Sequence, residues 1–436
     1  IITCDNGIAA AKEIEYGKAL GMTIIVTDHH EVPYKENEAG RRYILPPADA
    51  VVDPRQEGCE YPFKGLCGAA VAYKLVEALC EANGQDVADL DYLLENVAIA
   101  TVADVMDLTE ENRILVKQGL EMLKRTSNLG LRALIQCIGL EGKKIQAYHI
   151  GFILAPCLNA SGKLDTAKRA LALLRAKTER EADMLAGDLK ALNESRRDMT
   201  DRVVDEAMAK VERTDIRGDK VLVIYLPDCH ESLAGLVAGR VRENYYRPVF
   251  VLTDSEDGVK GSGRSIESYS MYEELTGCGD LLTKFGGHPM AAGLSLDKEN
   301  VEKFKRRLND QCTLSEEELT EKVVIDMELP FAAITEQFIE ELEYMEPFGK
   351  GNTKPVFAAR GVVMQHVKII GKNKNVAKAT AIDAAGNRME AICFHDAQEF
   401  AERCEKNNGK MSITFYPGIN EFRGERQIQI VITHYR

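Results

Sequence analysis

The stretch Thr27-Asp28-His29-His30 narrows most what this chain can be. It follows the apolar run Met22 to Val26, which reads as a short buried strand. The Asp-His-His cluster therefore stands where a strand leaves a sheet, and in open α/β sheets ligands bind at the carboxyl ends of strands. Asp5 ends a second apolar fragment, Ile1 to Cys4, and Asn6-Gly7 turns the chain after it. Asp104, with Asp107 nearby, follows a third apolar stretch, Val97 to Val102. Any one of these carboxylates reads equally as a cap or turn residue. Carboxylates and imidazoles converging on one sheet edge suit a divalent metal.

Composition removes several function classes. The chain has 436 residues, 45% apolar and 28% charged, as in an ordinary globular protein of roughly two to four domains. A net charge of −14 does not advertise nucleic-acid binding, so such a site must be a local basic patch. The 11 cysteines include no CxxC pair, which argues against a structural zinc site or a disulfide framework and suits a reducing cytoplasm. No apolar run approaches the ~20 residues of a membrane span, and no signal peptide is visible. The chain opens at Ile1 inside what reads as a core strand, so a fragment lacking its N-terminal part is expected.

Ile8 to Leu20 reads as a helix between the first strand and the one ending at Asp28, the strand–helix–strand ingredient of a parallel sheet. A polar loop, Glu31 to Ala50, leads to the short strand Val51-Val52-Asp53, closed by Pro54. Leu66 to Cys80 and Leu90 to Val102 read as buried helices, with Gly65 and Gly68 placed for close approach. Asp104 then falls past a helix end or on a strand, and pattern alone leaves both open. Asn112 and Arg113, in a helix running to Lys124, read as surface groups. Ala155 to Lys163 reads as a small-residue loop in which Asn159 and Lys163 could meet a phosphate, or as a plain loop. Thr178 to Arg213 is charged and proline-free, with loose helical spacing, and reads as one long connecting helix or two in tandem.

Residues 216–320 read as a second α/β domain. The strand Val221 to Leu226 leads through His230 into a small-residue helix, Ser232 to Tyr245. Gly261 to Ser265 follows another strand, and Phe285 to Gly293 carries Gly286, Gly287 and His288 before a small-residue run. That composition suits backbone passing tightly under an anion and donating N–H groups to it. Ser262 and Arg264, two apart on an extended segment, face one way, and Arg grips phosphate through two donors. Residues 321–436 open with a helix, Ile334 to Met345, and a connector, Glu346 to Asn352. Five strands with a helix before the fourth fit a small closed barrel of the oligonucleotide-binding kind. Lys368, Lys372, Lys374 and Lys378 cluster at its first hairpin. Phe415, Tyr416 and Phe422 either stack on bases or fill the barrel core.

Taken together, these motifs resemble the DHH phosphoesterase superfamily, in its branch of single-strand-specific DNA exonucleases. Asp5-Asn6-Gly7, Asp28-His29-His30, the block Thr101 to Arg113, Leu158 to Gly162, Gly261 to Ser265, Gly286 to Gly293 and Pro347 to Asn352 carry the likeness in order, nearly end to end. The resemblance implies an α/β fold: a parallel-sheet domain (1–177), a connecting helix (178–215), a DHH-associated α/β domain (216–320) and an OB-like β-barrel (321–436). It implies Asp5, His29 and Asp104 as metal ligands, with Asp28, His30 and His288 as catalytic groups. Asn159, Lys163, His230, Ser262, Arg264, Gly287, His288, Lys372 and Lys374 would contact phosphate or DNA. The lobes would enclose a channel that admits one strand. Two departures stand out. The superfamily's Asp-x-Asp motif would precede Ile1, so the two-metal site is incomplete here, and Cys157 and Lys163 replace arginines.

The implied chemistry is Mn2+- or Mg2+-assisted hydrolysis of single-stranded DNA from its 5′ end to 5′ mononucleotides, in recombination and repair. The His ligands lean toward manganese. The strand polarity comes from the resemblance alone. A monomer in the cytoplasm, working with a helicase and a single-strand-binding protein, is the corresponding setting. The rivals are a DHH phosphodiesterase acting on short oligonucleotides or cyclic dinucleotides, a DHH pyrophosphatase, and a fragment that binds single strands without cutting them.

Overall fold

Three short parallel segments set the architecture of the N-terminal region. In this computed structural model, which describes residues 1–37, 40–164, 167–371, 374–394, 396–422 and 424–436, the chain divides into two compact units. Residues 1–135, 139–155 and 324–436 form the first, and 136–138 with 156–323 the second. In the first unit, β1 (Ile25–Thr27) pairs in parallel with β2 (Ala50–Val52) on one side. On its other side runs the N-terminal segment, through a parallel bridge Ile2–Ile25 and the bond from Thr3 N–H to the Ile25 carbonyl, 2.9 Å. Helix α1 (Ala11–Ala19) buries Ile14 in one cluster with Ile24 and Val26 and stops at Gly21, whose φ of 77° an L-residue resists. The expected loop before β2 contains a hairpin, Tyr34–Asn37 with Gly40–Tyr43.

Helices α2 (Gly68–Ala82), α3 (Leu94–Ala103) and α4 (Glu110–Leu123) follow. The first two bury Ala70, Val71, Leu94 and Val97 in one core with Leu115. The segment expected as a small-residue loop is instead helix α5 (Ala155–Leu164). It continues directly from the short helix Ala147–His149 through a π-helical turn, Ile150–Leu154, so Pro156 follows an irregular turn, and Ala and Leu favour the helix that the glycine and serine disguise. After a short helix, Lys168–Leu174, comes α6 (Glu179–Arg213), one continuous helix of 35 residues whose start is capped by Thr178 Oγ1 accepting from Glu181 N–H. Its charged surface fits no bilayer, and no described helix is long and apolar enough to cross a membrane.

The sheet of the second unit is built from β3 (Leu222–Tyr225), α7 (Glu231–Tyr245), β4 (Val249–Ser255), β5 (Gly258–Arg264), β6 (Leu282–His288) and β7 (Ala291–Leu296). The described strand order is β3-β4-β5-β7-β6, with only the β3–β4 pair parallel. Phe250 and Phe304, both fully buried, meet edge to face in its core, and burial of each contributes about 1.5–3 kcal/mol.

The first unit closes with helix α8 (Glu336–Glu343) and a barrel of β8 (Phe357–Ile370), β9 (Val376–Ile382), β10 (Arg388–Cys393), β11 (Lys410–Phe422) and β12 (Glu425–Tyr435), with helix α9 (Ala397–Lys406) between β10 and β11. The order β8-β9-β10-β12-β11 returns to β8 through the β8–β11 pairing, so the sheet is closed. This is the OB-like barrel that the strand spacing anticipates. Phe415 is completely buried against Phe331 and Phe357, so it fills the core and is not a base-stacking surface.

Candidate metal centre and phosphate-binding cleft

The three parallel segments all end in carboxylates: Asp5, Asp28 and Asp53. Asp5 N–H donates to the Thr27 carbonyl at 3.1 Å, and Asp28 N–H to the Val52 carbonyl at 3.0 Å. Their side chains therefore gather beside the carboxyl ends of the strands. Asp5 sits at φ 64°, a left-handed conformation that Asp tolerates. Gly68, at the start of α2, lies under it, and a Cβ there would come within 2.5 Å of Asp5 Oδ1. Asp104 arrives as the residue closing the C-terminus of α3, which resolves the strand-or-helix alternative in favour of the helix end.

His29 is the buried centre of this group. Its Nε2 lies 3.0 Å from Asp5 Oδ1 and 3.4 Å from Asp104 Oδ2, yet neither ring nitrogen has a hydrogen-bond partner among the described residues. An imidazole nitrogen buried between two carboxylates, without hydrogen-bond geometry to either, is placed to share a cation with them. Single ligand atoms of Asp5, His29 and His30 lie within 4.8 Å of one another, a span one metal ion can bridge. The donors, carboxylate oxygen and imidazole nitrogen, suit Mn2+ or Mg2+.

Asp28 does different work. Its Oδ2 accepts from Ile8 N–H at 2.9 Å, and its Oδ1 accepts from His29 N–H at 2.8 Å and meets His30 Nδ1 at 2.7 Å. Burial pushes its carboxyl up, but the hydrogen bonds from Ile8, His30 and His29 outweigh burial and hold its pKa below the ordinary carboxylate value. The same bond from Asp28 outweighs burial at His30 and raises that imidazole's pKa. Asp104 is shifted the other way: burial raises its carboxyl, and His29 opposes this only in part.

Asp53, which the sequence marks only as a strand end, joins the same neighbourhood. It is buried, its Oδ1 accepts from Arg55 N–H at 2.8 Å, and its Oδ2 has no hydrogen-bond partner among the described residues. Burial raises its carboxyl, and both Asp28 and His29 act on it electrostatically. Its signal in the sequence is the one that marks Asp5 and Asp28, an apolar run ending in Asp. Asn112 is not the surface group expected from its helix, whereas Arg113 is half-exposed. Asn112 is fully buried and donates to the Gly65 and Asp107 carbonyls at 2.7 and 3.0 Å, and Arg113 donates to the Tyr344 carbonyl at 2.9 Å.

In the second unit, β5, β6, β7 and the start of α7 line a cleft of about 530 Å³ that includes Ser232, Lys260, Ser262, Lys284 and Gly286. The Gly286-Gly287-His288 run ends β6, which lies at the edge of its sheet. It pairs antiparallel with β7, Gly286 opposite Gly293 and His288 opposite Ala291, so these residues stand in a hairpin. Gly287 is obligatory there: its φ is 147°, and a Cβ would meet the Ala291 carbonyl oxygen at 2.4 Å. His288 is exposed at the hairpin end.

Arg264 is half-buried, folds over Gly235 of α7, and donates to the Gly263 carbonyl at 2.8 Å. No carboxylate pairs with it among the described residues. Burial, with the neighbouring Arg242, lowers its pKa from the usual guanidinium value, though Arg stays cationic. A desolvated guanidinium without an acid is a ready partner for an anion. His230 caps α7, its Nδ1 accepting from Ser232 N–H at 3.3 Å. Asn159 is exposed on α5. The Lys163 side chain and Lys372 lie outside the described residues. Lys374 stands in the β8–β9 turn at φ 52°, while Lys378 is taken by Glu390 at 2.7 Å, which shrinks the expected basic patch.

Residues 1–101 match the N-terminal domain of the DHH family, 218–314 the DHHA1 domain, and 325–434 the RecJ OB domain. Two curated relatives, each described as single-stranded-DNA-specific exonuclease RecJ, align with 99% of this chain. The protein of Bacillus subtilis (strain 168) is 37% identical over 437 residues, and that of Salmonella typhimurium 33% over 454. The chain spans 53% of the Bacillus protein's length and 76% of the Salmonella protein's. The chain belongs to the RecJ family. A crystal structure of RecJ from Thermus thermophilus in complex with Mn2+ superposes on all of this chain with a TM-score of 0.81 at 27% identity, and 61% of that structure is covered. A manganese-bound exonuclease RecJ superposes on 71% of this chain with a TM-score of 0.58 at 34% identity, and 74% of that structure is covered. The RecJ likeness thus runs through both compact units and the barrel.

Proposed function

We propose that this chain is the catalytic part of a divalent-metal-dependent exonuclease that degrades single-stranded DNA from its 5′ end to 5′ mononucleotides. One observation carries the reading: the buried imidazole of His29, whose Nε2 stands between the Asp5 and Asp104 carboxylates at 3.0 and 3.4 Å. Asp5, His29 and Asp104 would hold Mn2+ or Mg2+. A cation held there supplies Lewis-acid polarisation of a phosphoryl oxygen and an activated water. Asp28 fixes the backbone of His29 and His30 and orients the His30 ring, which is placed to touch substrate. Ser262 and Arg264 take the 5′ phosphate. His288, with Gly287 behind it, and Asn159, Lys163, His230, Lys372 and Lys374 contact the backbone that follows. A helicase that supplies single strands and a single-strand-binding protein are the partners this activity calls for, and nothing in the site needs a second copy of the chain.

The test uses this chain with Mn2+ and a single-stranded DNA carrying a 5′ phosphate and a 3′ label, beside a duplex of the same sequence. The expected result is stepwise mononucleotide release from the 5′ end of the single strand only. Release from the 3′ end, or equal attack on the duplex, would refute the reading.

A further inference from the structure

The turn that presents Asp104 is held from outside by the connector leading to the barrel. Immediately after Asp104, Val105 sits at φ 54°, a left-handed conformation that is costly for a β-branched residue. Such a turn persists only where its surroundings over-determine it. On the near side the end of α3 holds it, Val105 N–H donating to the Val102 carbonyl and Met106 N–H to the Thr101 carbonyl, both at 3.1 Å; on the far side stand residues 349–352, in the same compact unit. Leu108 N–H donates to the Lys350 carbonyl at 2.7 Å, and Lys350 Nζ lies 3.1 Å from Asp107 Oδ1. Two glycines make the approach possible. A Cβ on Gly349 would meet Leu108 Cδ1 at 2.7 Å, and one on Gly351, at φ 74°, would meet Asp107 Cβ at 3.0 Å. The connector is stiffened on its own side: Gly349 and Asn352 exchange backbone hydrogen bonds of 2.9 and 3.2 Å, and the Asn352 amide donates to the Met345 and Pro347 carbonyls. From inside, buried Asn112 donates to the Asp107 carbonyl.

We propose that the connector Gly349–Asn352 is a positioning element for the metal centre. It grips Asp107 and Leu108 so that the strained turn at Val105 holds the Asp104 carboxylate against His29. Lys350, Gly349 and Gly351 are positioning residues in this sense, since none of them lies among the ligand atoms. A metal ligand's orientation depends on what holds its own loop, and partners behind a ligand typically alter metal affinity about 10–100-fold. The inference also couples barrel and metal: whatever shifts the connector shifts Asp104, and metal binding must favour the gripped connector in return. It rests on the metal reading above.

The experiment is Mn2+ binding without DNA, followed by the electron paramagnetic resonance signal of free Mn2+, on the full chain. The variants are Lys350→Met, Lys350→Arg and Gly351→Ala. Arg426→Met, which loses an ion pair to Glu336 elsewhere in the barrel, is the control. Lys350→Met and Gly351→Ala should each raise the Mn2+ dissociation constant about tenfold, the low end of the range for a partner behind a ligand. Lys350→Arg should restore most of the affinity, because one point charge reaching Asp107 suffices, and Arg426→Met should change nothing. Thermal midpoints of the metal-free forms are measured alongside. Lower midpoints with unchanged Mn2+ affinity in Lys350→Met and Gly351→Ala would mean a purely structural connector and overturn the proposal. Absence of Mn2+ binding by the unaltered chain would sink this inference and the metal reading together, whereas equal binding by all forms would sink this inference alone.

Discussion

The carboxyl-edge cluster of the first unit and the cleft of the second are unsatisfied in opposite senses. Around His29, acidic groups converge: Asp5 and Asp104 face one imidazole, and burial raises the Asp104 carboxyl more than His29, His30 and Lys350 lower it. At Arg264, a desolvated guanidinium has no described acid, and Arg242 stands beside it. One site asks for a positive ion and the other for a negative group. Neither could exchange tasks with the other, because a buried charge is stable only beside its opposite. On the proposed function this is a division of labour: the first site would take the metal and the second the phosphate.

That contrast can be broken from either side. His29→Ala should have the largest effect. Mn2+ binding should weaken by more than about 100-fold, since even partners behind a ligand cost that much. The affinity of the metal-free chain for a 5′-phosphorylated strand should stay unchanged. Titrating Mn2+ and DNA separately checks both halves, and parallel losses would show that the two sites are not independent. Arg264→Ala should do the reverse and leave Mn2+ binding alone. A hydrogen-bonded charge contributes about 1.5–3 kcal/mol, so binding of a 5′-phosphorylated strand should weaken about 10–100-fold. A 5′-hydroxyl strand should lose far less, and equal losses would remove Arg264 from the 5′ phosphate.

The smallest effect should come from a residue belonging to neither site. Asp383 accepts from Phe331, Ala385 and Asn387 N–H groups in the barrel. Burial raises its carboxyl, but the hydrogen bonds from the Asn387 side chain and from these N–H groups prevail and hold its pKa below the ordinary carboxylate value. A depressed carboxylate adds stability above its unfolded pKa and loses it as pH falls through the folded value. Asp383→Ala should therefore cost about 1 kcal/mol at neutral pH. The gap in urea midpoint should close in acid, with Mn2+ and DNA binding untouched.

Much of this is legible in the sequence because strand ends announce themselves. Asp5 and Asp28 each close an apolar run, and the barrel's strands and helix fall nearly where their spacing puts them. Asp53 carries the same signature, but Pro54 after it makes it read as punctuation. The helix at Ala155–Leu164 is hidden by Gly162 and Ser161, whose helix cost is about 1 kcal/mol or less and is easily offset by packing. Asn112 cannot be placed from sequence, since its burial depends on two carbonyls from other segments, Gly65 and Asp107. The hairpin pairing of Gly286 with Gly293 is equally out of reach: glycine permits both a cradle and a tight pair of strands, and only the neighbour strand decides.

The contact of Gly68 with Asp5 ties two positions 63 residues apart in sequence, 68 and 5, into one unit of heredity. With this backbone, a side chain at 68 and a carboxylate poised at 5 exclude each other, because even one methyl would stand 2.5 Å from the oxygen. A descendant that acquires alanine at 68 must either move its first strand or give up that ligand. The smallest amino acid in the chain thus guards the metal centre without offering it a single atom to bind.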